Sequence, residues 1–510
     1  MSEELPSPDS RPHFVPPAID AAWAERRKQQ HEKYETYAGL ADSSRLGYLH
    51  GASKQWTEDE IVEKWRLAAH ASDRRRDAVN HVYIHVPFCK SICSFCNYDR
   101  LRPSNASLLE EYTKRVFRSL HAIGPVVQPM RWHTLYMGGG TASVLPASQL
   151  SEILTAIDDT LRWHPQSTRF FEFDPAVFNT DKLDVLLRHG FEHFSFGVQT
   201  LDAKVNQAHN RGPQSRELIQ RRFEELRAGG IHNISCDFLL GLAGTTPEQI
   251  LGEIEEVLAL QPRWVDLYFI TPTKEYVDAH FAGSYDAFWA HIRPFHDIVP
   301  QLSRDVAAKH GFRVRRGHGH NIVIFRQMGP HERQKHKAGG IFSYTQLVDQ
   351  QRRPLHLLGL GTSARSLIFE QAAIECRNPD EFGDPGGAHR YVGHDYGPEG
   401  EVRLFLSHML RDNDVIDRAM FERIFGRDIT EAIPVPLAVW TGQGKVELSE
   451  HELRLSSEDR RERMRTLLWT LPDAILDWEI DRHEENLRAQ ARTAEHLAAH
   501  GGASQERGRG

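Results

Sequence analysis

Tyr83-Ile84-His85-Val86-Pro87-Phe88-Cys89-Lys90-Ser91-Ile92-Cys93-Ser94-Phe95-Cys96 runs from a β-branched and aromatic stretch, across a proline, into a loop with three cysteines. Residues 81–86 predict a strand, and Pro87 stops it because a proline nitrogen cannot donate to a sheet ladder. Three thiolates at C-x3-C-x2-C spacing on one loop can converge on one inorganic centre. Soft thiolates suit an iron–sulfur cluster. A cubane has four irons, so three cysteines leave one iron open to an outside ligand. A zinc site and three buried thiols are the alternatives. Zinc motifs usually bring two Cys-x2-Cys pairs, or a Cys pair with a His pair, and neither partner pair is visible. Five cysteines in 510 residues make no disulfide framework.

Outward from this loop, short β-branched and aromatic runs alternate with amphipathic helical stretches. The runs are residues 81–86, 132–137, 169–174, 193–198, 231–239 and 265–270. Between them, helices are predicted over 108–123, 147–161, 180–189, 213–228 and 247–260. Six βα units in a row mean a parallel sheet with right-handed crossovers. Their spacing suits a barrel or an open doubly wound sheet, and in both the function sits at the C-terminal ends of the strands.

Before this region, residues 1–15 read as a disordered tail and 16–80 as a polar, helical extension. After about Tyr285 the pattern loosens, with a last helix–strand stretch over 296–314 and a Gly-rich segment at 357–364. Residues 81–380 are expected to form the core and its completion. Residues 383–400 read as loop. A small domain is expected within 381–488, mostly helical, with short strands near 446–455. Residues 489–510 form a low-complexity tail.

Net charge is −8 with both signs intermixed, so no basic face suggests a nucleic-acid partner. No apolar run approaches the ~20 residues of a membrane helix. The acidic start, Met1-Ser2-Glu3-Glu4, lacks the apolar segment of a signal peptide. The expectation is a cytoplasmic protein without a membrane partner.

Four further constellations fall at predicted strand ends. Gly138-Gly139-Gly140-Thr141 allows positive φ and close backbone approach, for a ligand or only for a tight turn. Glu172-Phe173-Asp174-Pro175 closes the third strand, where a carboxylate points into a barrel's mouth; capping suits Asp174 better than Glu172. Ser195-Phe196-Gly197-Val198-Gln199 is followed by Arg211, which by itself reads as a surface residue. Asp237 sits inside the apolar run 234–242, where an acid needs a partner. Cys236, on the opposite face, and Cys376 read as buried, inert thiols.

The segment from Tyr83 to Cys96 resembles the radical S-adenosylmethionine (SAM) superfamily. More narrowly, it resembles the group around oxygen-independent coproporphyrinogen III oxidase. That group includes haem chaperones and class C radical SAM methyltransferases and cyclopropanases. The likeness runs over roughly residues 37–367. It implies an α/β fold: a partial (β/α)6 TIM-like barrel with an N-terminal helical extension and a small C-terminal helical domain. It implies that Cys89, Cys93 and Cys96 hold a [4Fe–4S] cluster whose open iron takes the amino and carboxylate groups of SAM. Gly139, Gly140 and Thr141 would face the amino group and Glu172 the ribose. Gln199 and Arg211 would be further SAM ligands, with the arginine on the carboxylate. Asp237 would be a second ribose or adenine contact, and Tyr83 and Phe95 would lie beside SAM. A small-molecule substrate and a reductant such as flavodoxin or ferredoxin follow from the same resemblance. Several members bind a second SAM, and Phe269-Ile270-Thr271-Pro272-Thr273 is in the right place for one.

The chain also departs from the group. Ala142 and Ala243 stand where prolines are usual. Asn97 and Tyr98 stand where the oxidases carry a fourth cysteine, two residues beyond the third. Residues 44–51 and 315–321 do not match the tetrapyrrole-side segments, and His318-Gly319-His320 is a weak metal motif. These departures favour methyl or methylene transfer to an sp2 carbon. Oxidative decarboxylation of coproporphyrinogen III is the second expectation, and a haem chaperone the third.

Overall fold

The computed structural model describes residues 13–38, 53–72, 78–98, 100–103, 105–212, 214–298, 301–316, 322–326, 353–377, 390–412, 415–457, 462, 465–481 and 484. The expectations for residues 44–51, for His318 and His320 and for 489–510 lie outside the described residues, as does most of the first tail.

Thirteen strands form one sheet among the described residues. They are β1 (Lys54–Trp56), β2 (Val79–Val86), β3 (Arg131–Gly139), β4 (Arg162–Phe173), β5 (His193–Gln199), β6 (Asn233–Leu240), β7 (Trp264–Phe269), β8 (Phe312–Arg316), β9 (Ile322–Arg326), β10 (Leu355–Leu360), β11 (Arg365–Ile368), β12 (Ala372–Arg377) and β13 (Arg390–Asp395). Their spatial order is β1-β13-β12-β11-β10-β2-β3-β4-β5-β6-β7-β9-β8. From β10 through β2 to β7 every neighbouring pair is parallel. Antiparallel strands extend both sides. The six expected βα units are therefore present as a mixed α/β fold around a parallel sheet, and β10 adds a seventh parallel strand.

Four crossover helices begin where a polar side chain satisfies a free N–H. Asn105 caps α3 (Ala106–Val127), Asn179 caps α5 (Thr180–Arg188), Ser215 caps α6 (Arg216–Ala228) and Thr246 caps α7 (Pro247–Ala259). The apolar faces of these helices and of α4 (Ala147–Thr160) meet the outer face of the sheet, and every residue of β2 is buried. That double burial explains why central parallel strands read as apolar runs.

The structure differs from the expectation at the flanks. The stretch 16–80, expected to be helical, contains α1 (Ala21–Ala38) and α2 (Glu58–Ser72), but also β1, and Val79-Asn80 already belong to β2. The stretch 383–400, expected as loop, contains β13 and the start of helix Gly397–Asp412. Both differences share one cause: β1 and β13 pair with each other from distant parts of the chain, and short edge strands carry little local signal. The two N-terminal helices also part company. Trp65 of α2 packs against Trp132 in the main core, with ring centroids 6.1 Å apart. In α1, Tyr34 joins the C-terminal core, and Arg27 donates to the Leu468 carbonyl at 3.0 Å and pairs with Asp473 at 2.7 Å. That second core gathers Phe405, Phe421, Trp440 and Leu453. It lies among short helices and a three-stranded sheet of Val415–Asp417, Val446–Leu448 and Glu452–Leu455. Among the described residues no helix is long and apolar enough to cross a membrane.

Candidate functional site

The cysteine loop leaves β2 at the C-terminal end of the parallel sheet and is tied down along its length. Leu101 N–H donates to the Pro87 carbonyl at 2.6 Å, and Cys89 N–H to the Leu101 carbonyl at 3.0 Å. Ser94 N–H donates to the His209 carbonyl at 3.0 Å. The Ser94 hydroxyl lies 2.8 Å from both His209 Nδ1 and His280 Nε2. His209 belongs to the turn that carries Arg211, so these bonds couple the cysteine loop to that turn.

Gly140 N–H donates to the Val86 carbonyl at 2.8 Å, drawing the β3 turn against the loop. A Cβ at Gly140 would lie 2.8 Å from the Phe88 carbonyl oxygen and 3.0 Å from the Cys89 sulfur, so only glycine permits this approach. Thr141 then offers its hydroxyl to the Cys89 sulfur at 3.5 Å.

Glu172, at the end of β4, accepts from the Tyr136 hydroxyl and from Gly139 N–H, the latter at 3.4 Å. Burial raises the Glu172 carboxyl above its ordinary range, and these two donors work against that rise. On β5 the ladder slips between Gly197 and Gln199, and Gln199 takes a left-handed φ of 65°. Such a conformation in a non-glycine residue costs about 1 kcal/mol or more and is a frequent mark of functional sites. Arg211 crosses above it, donating to the Gly197 carbonyl at 2.6 Å, with Nη1 3.9 Å from the Cys93 sulfur. A Cβ at Gly197 would stand 2.2 Å from the Gln199 amide nitrogen, so a missing side chain makes room for both residues.

The three thiols, Gly139, Gly140, Thr141, Glu172, Gln199 and Arg211 border one cavity of about 1160 Å³. Every site residue singled out in the sequence borders it: Tyr83, Cys89, Cys93, Phe95, Cys96, Gly139, Gly140, Thr141, Glu172, Gln199, Arg211 and Asp237. A radical SAM superfamily profile matches residues 83–257. The chain carries a radical SAM domain. Over 182 residues it is 31% identical to the oxygen-independent coproporphyrinogen III oxidase of Cereibacter sphaeroides, which covers 36% of this chain and 40% of that protein. It is 30% identical over 200 residues to the heme chaperone HemW of Lactococcus lactis, covering 37% of this chain and 48% of that one. The chain thus spans less than half the length of these curated relatives. Coproporphyrinogen III oxidase (HemN) from Escherichia coli shares the fold with a TM-score of 0.62 at 18% identity, over 81% of this chain and 93% of that chain.

Radical SAM domains hold a [4Fe–4S] cluster and SAM, and the residues here fit both. The three thiols are half-buried on one cavity wall. Among the described residues, no three His, Cys, Asp or Glu side chains are gathered closely enough for a single metal ion. A cubane differs from zinc in giving each thiolate its own iron, so three thiols on one loop need not converge on a single ion to hold it. Burial pushes the Cys89 thiol up to about 11, and it also raises the Cys93 thiol, against the pull of Arg211. Metal binding would displace those protons. Gln199 Oε1 and Arg211 Nε are buried without a hydrogen-bond partner, and such atoms call for a ligand.

Several cavity residues had no weight in the sequence reading. Tyr136 stands two residues before Gly138 on the same strand face, so its bond to Glu172 depends on three-dimensional register. His85 follows the same alternation from Tyr83, whose hydroxyl is 2.9 Å from its Nδ1. Asp266 is the register partner of Asp237. The signal for Asp266 was present, because it is an acid between Val265 and Leu267 just as Asp237 is an acid in an apolar run. Burial first, then Asp266 and Glu172, raise the Asp237 carboxyl well above its ordinary value.

Proposed function

We propose that this chain is a radical SAM enzyme that transfers a methyl or methylene carbon to an sp2 carbon of a small molecule. The observation that carries the radical half is the union, in one cavity, of three loop thiols with the unpartnered Gln199 Oε1 and Arg211 Nε. In this reading Cys89, Cys93 and Cys96 would hold the cluster. Arg211 would take the SAM carboxylate, and Glu172 and Asp237 its ribose. A reduced cluster with SAM bound supplies one electron and, from it, a carbon-centred radical. The protein's part is to orient and to exclude water. The glycine turn at 138–140 brings backbone against the cysteine loop, and Tyr136 holds Glu172 in place.

The carbon-transfer half is supported by Tyr98 at the position where the oxidases carry a fourth cysteine. It is also supported by a match to the curated relatives that is limited to about 36% of this chain. The oxidase names among those relatives favour coproporphyrinogen decarboxylation as the second reading. SAM with a deuterated methyl group separates the two. Carbon transfer puts deuterium in 5′-deoxyadenosine and a labelled carbon in the product, with S-adenosylhomocysteine released. Unlabelled 5′-deoxyadenosine with carbon dioxide released from coproporphyrinogen would replace this proposal with the oxidase.

A further inference from the structure

We propose that the cavity takes a planar aromatic acid, its rings on Trp264 and Phe325 and its carboxylate on Arg313. This inference deepens the radical SAM reading and rests on it.

Strand register lays one inward-facing row across the sheet. Glu172 on β4 pairs with Ser195, Ser195 with Ser235, Ser235 with Trp264, Trp264 with Phe325, and Phe325 with Arg313 on β8. All six residues border the cavity. At about 4.8 Å per strand, the row is about 24 Å long measured along the sheet. Its composition changes in order. The Glu172 end belongs to the proposed SAM site. The two serines are small and leave a trough. Trp264 and Phe325 then offer adjacent rings, backed by His193 at 6.3 Å from Trp264 and by Phe170 stacked on His193 at 4.3 Å. Arg313 closes the row. It is exposed, and its guanidinium has no ion-pair or hydrogen-bond partner among the described residues. Arg326 borders the same end of the cavity, also without such a partner.

A planar guanidinium beside aromatic faces matches a planar acid, because rings stack on rings and a carboxylate takes two parallel N–H donors. The neighbouring row sets the orientation. It runs Gly197, Asp237, Asp266 and Val323, so two carboxylates flank the trough. A substrate carboxylate meets acid side chains there and no cationic partner from that row, whereas Arg313 offers it a guanidinium. The uncharged sp2 end is thereby directed toward the serines and the cysteine loop. A molecule with carboxylates around its whole rim would set one of them against Asp237 and Asp266, acid groups that give it no cationic partner, so the row selects an acid charged at one end only.

The test is calorimetric titration of the reconstituted full-length protein with quinoline-2-carboxylate and with quinoline-2-carboxamide. The acid should bind about tenfold more tightly than the amide, as expected for a charge-assisted pair. Arg313→Gln should erase most of that preference, and Trp264→Leu should weaken both probes alike. Equal binding of acid and amide, a preference that survives Arg313→Gln, or no binding of either probe would overturn the inference. Iron content and SAM cleavage without probe are measured on the same wild-type preparation. Protein that cleaves SAM but ignores the acid sinks the substrate class alone. Protein that takes up no iron sinks the radical reading, whatever the probes do.

Discussion

Gly140 shows how little freedom the cysteine loop has. Its hypothetical Cβ meets the Phe88 carbonyl and the Cys89 sulfur, and a backbone carbonyl cannot swing aside as a flexible side-chain tip can. Gly140→Ala should therefore displace Cys89 and cut the iron retained after anaerobic reconstitution to well below the about four atoms expected for a cubane. The melting temperature should change much less than the iron content. Full iron loading in that variant would mean that the loop is pliable. Arg211 and Glu172 make the opposite prediction. Arg211→Ala and Glu172→Ala should keep the iron and lose SAM affinity by about tenfold or more, since each removes a charged hydrogen-bond partner. Equilibrium binding of SAM to the reconstituted variants measures this, and unchanged affinity in both would remove these residues from the cofactor site. The cysteines were visible in the sequence because their residue type and spacing carry chemistry by themselves, whereas the glycine turn and Arg211 were legible only through the family resemblance. Tyr136 and His85 were legible in neither way, because a tyrosine or histidine in a strand looks the same whether it lines a cavity or fills a core.

At the scale of elements, the short helix Ile429–Ala432 depends on one carboxylate. Asp428 caps it through Thr430 N–H at 2.9 Å and also takes both Nε and Nη2 of Arg418, at 3.0 and 2.8 Å. Burial alone would raise the Asp428 carboxyl, but the bonds from Arg418 and Thr430 outweigh it and hold the group below its ordinary range. A depressed carboxyl stabilises the fold above the unfolded value and stops doing so as pH falls through the folded one. Asp428→Asn leaves the buried Arg418 without its counter-charge and should cost about 3 kcal/mol at neutral pH. Denaturant unfolding at two pH values checks the sign: the gap between wild type and variant is full at pH 7 and closes below about pH 3.9. A gap that widened in acid would contradict the assignment. The six βα units were legible because alternation of period two and helical periodicity repeat for long stretches. β1 spans only Lys54–Trp56, and what makes it a strand is its partner Arg390–Asp395. No local window contains both halves of that fact.

Across the whole molecule, the sheet is stitched from both flanks of the radical SAM domain. A chain cut after residue 380 loses β13, leaves β1 unpaired and exposes the β12 edge. Open edges of this kind recruit other chains. Light scattering should report aggregation of the truncated chain at concentrations where the full chain stays dispersed, and a dispersed, cooperatively melting truncation would show that the flank is dispensable. The same stitching has a consequence in time. β2, which leads directly into the cysteine loop, lies between β3 and β10, and β10 is translated only long after β2. At 5–20 residues per second, the ribosome takes about 15–50 s to pass from one to the other. Through that interval one edge of β2 has no neighbour and the barrel wall beside the cysteines is unfinished. Nascent chains are thus exposed to misassembly at the strand that the chemistry depends on most, and slower translation prolongs that exposure.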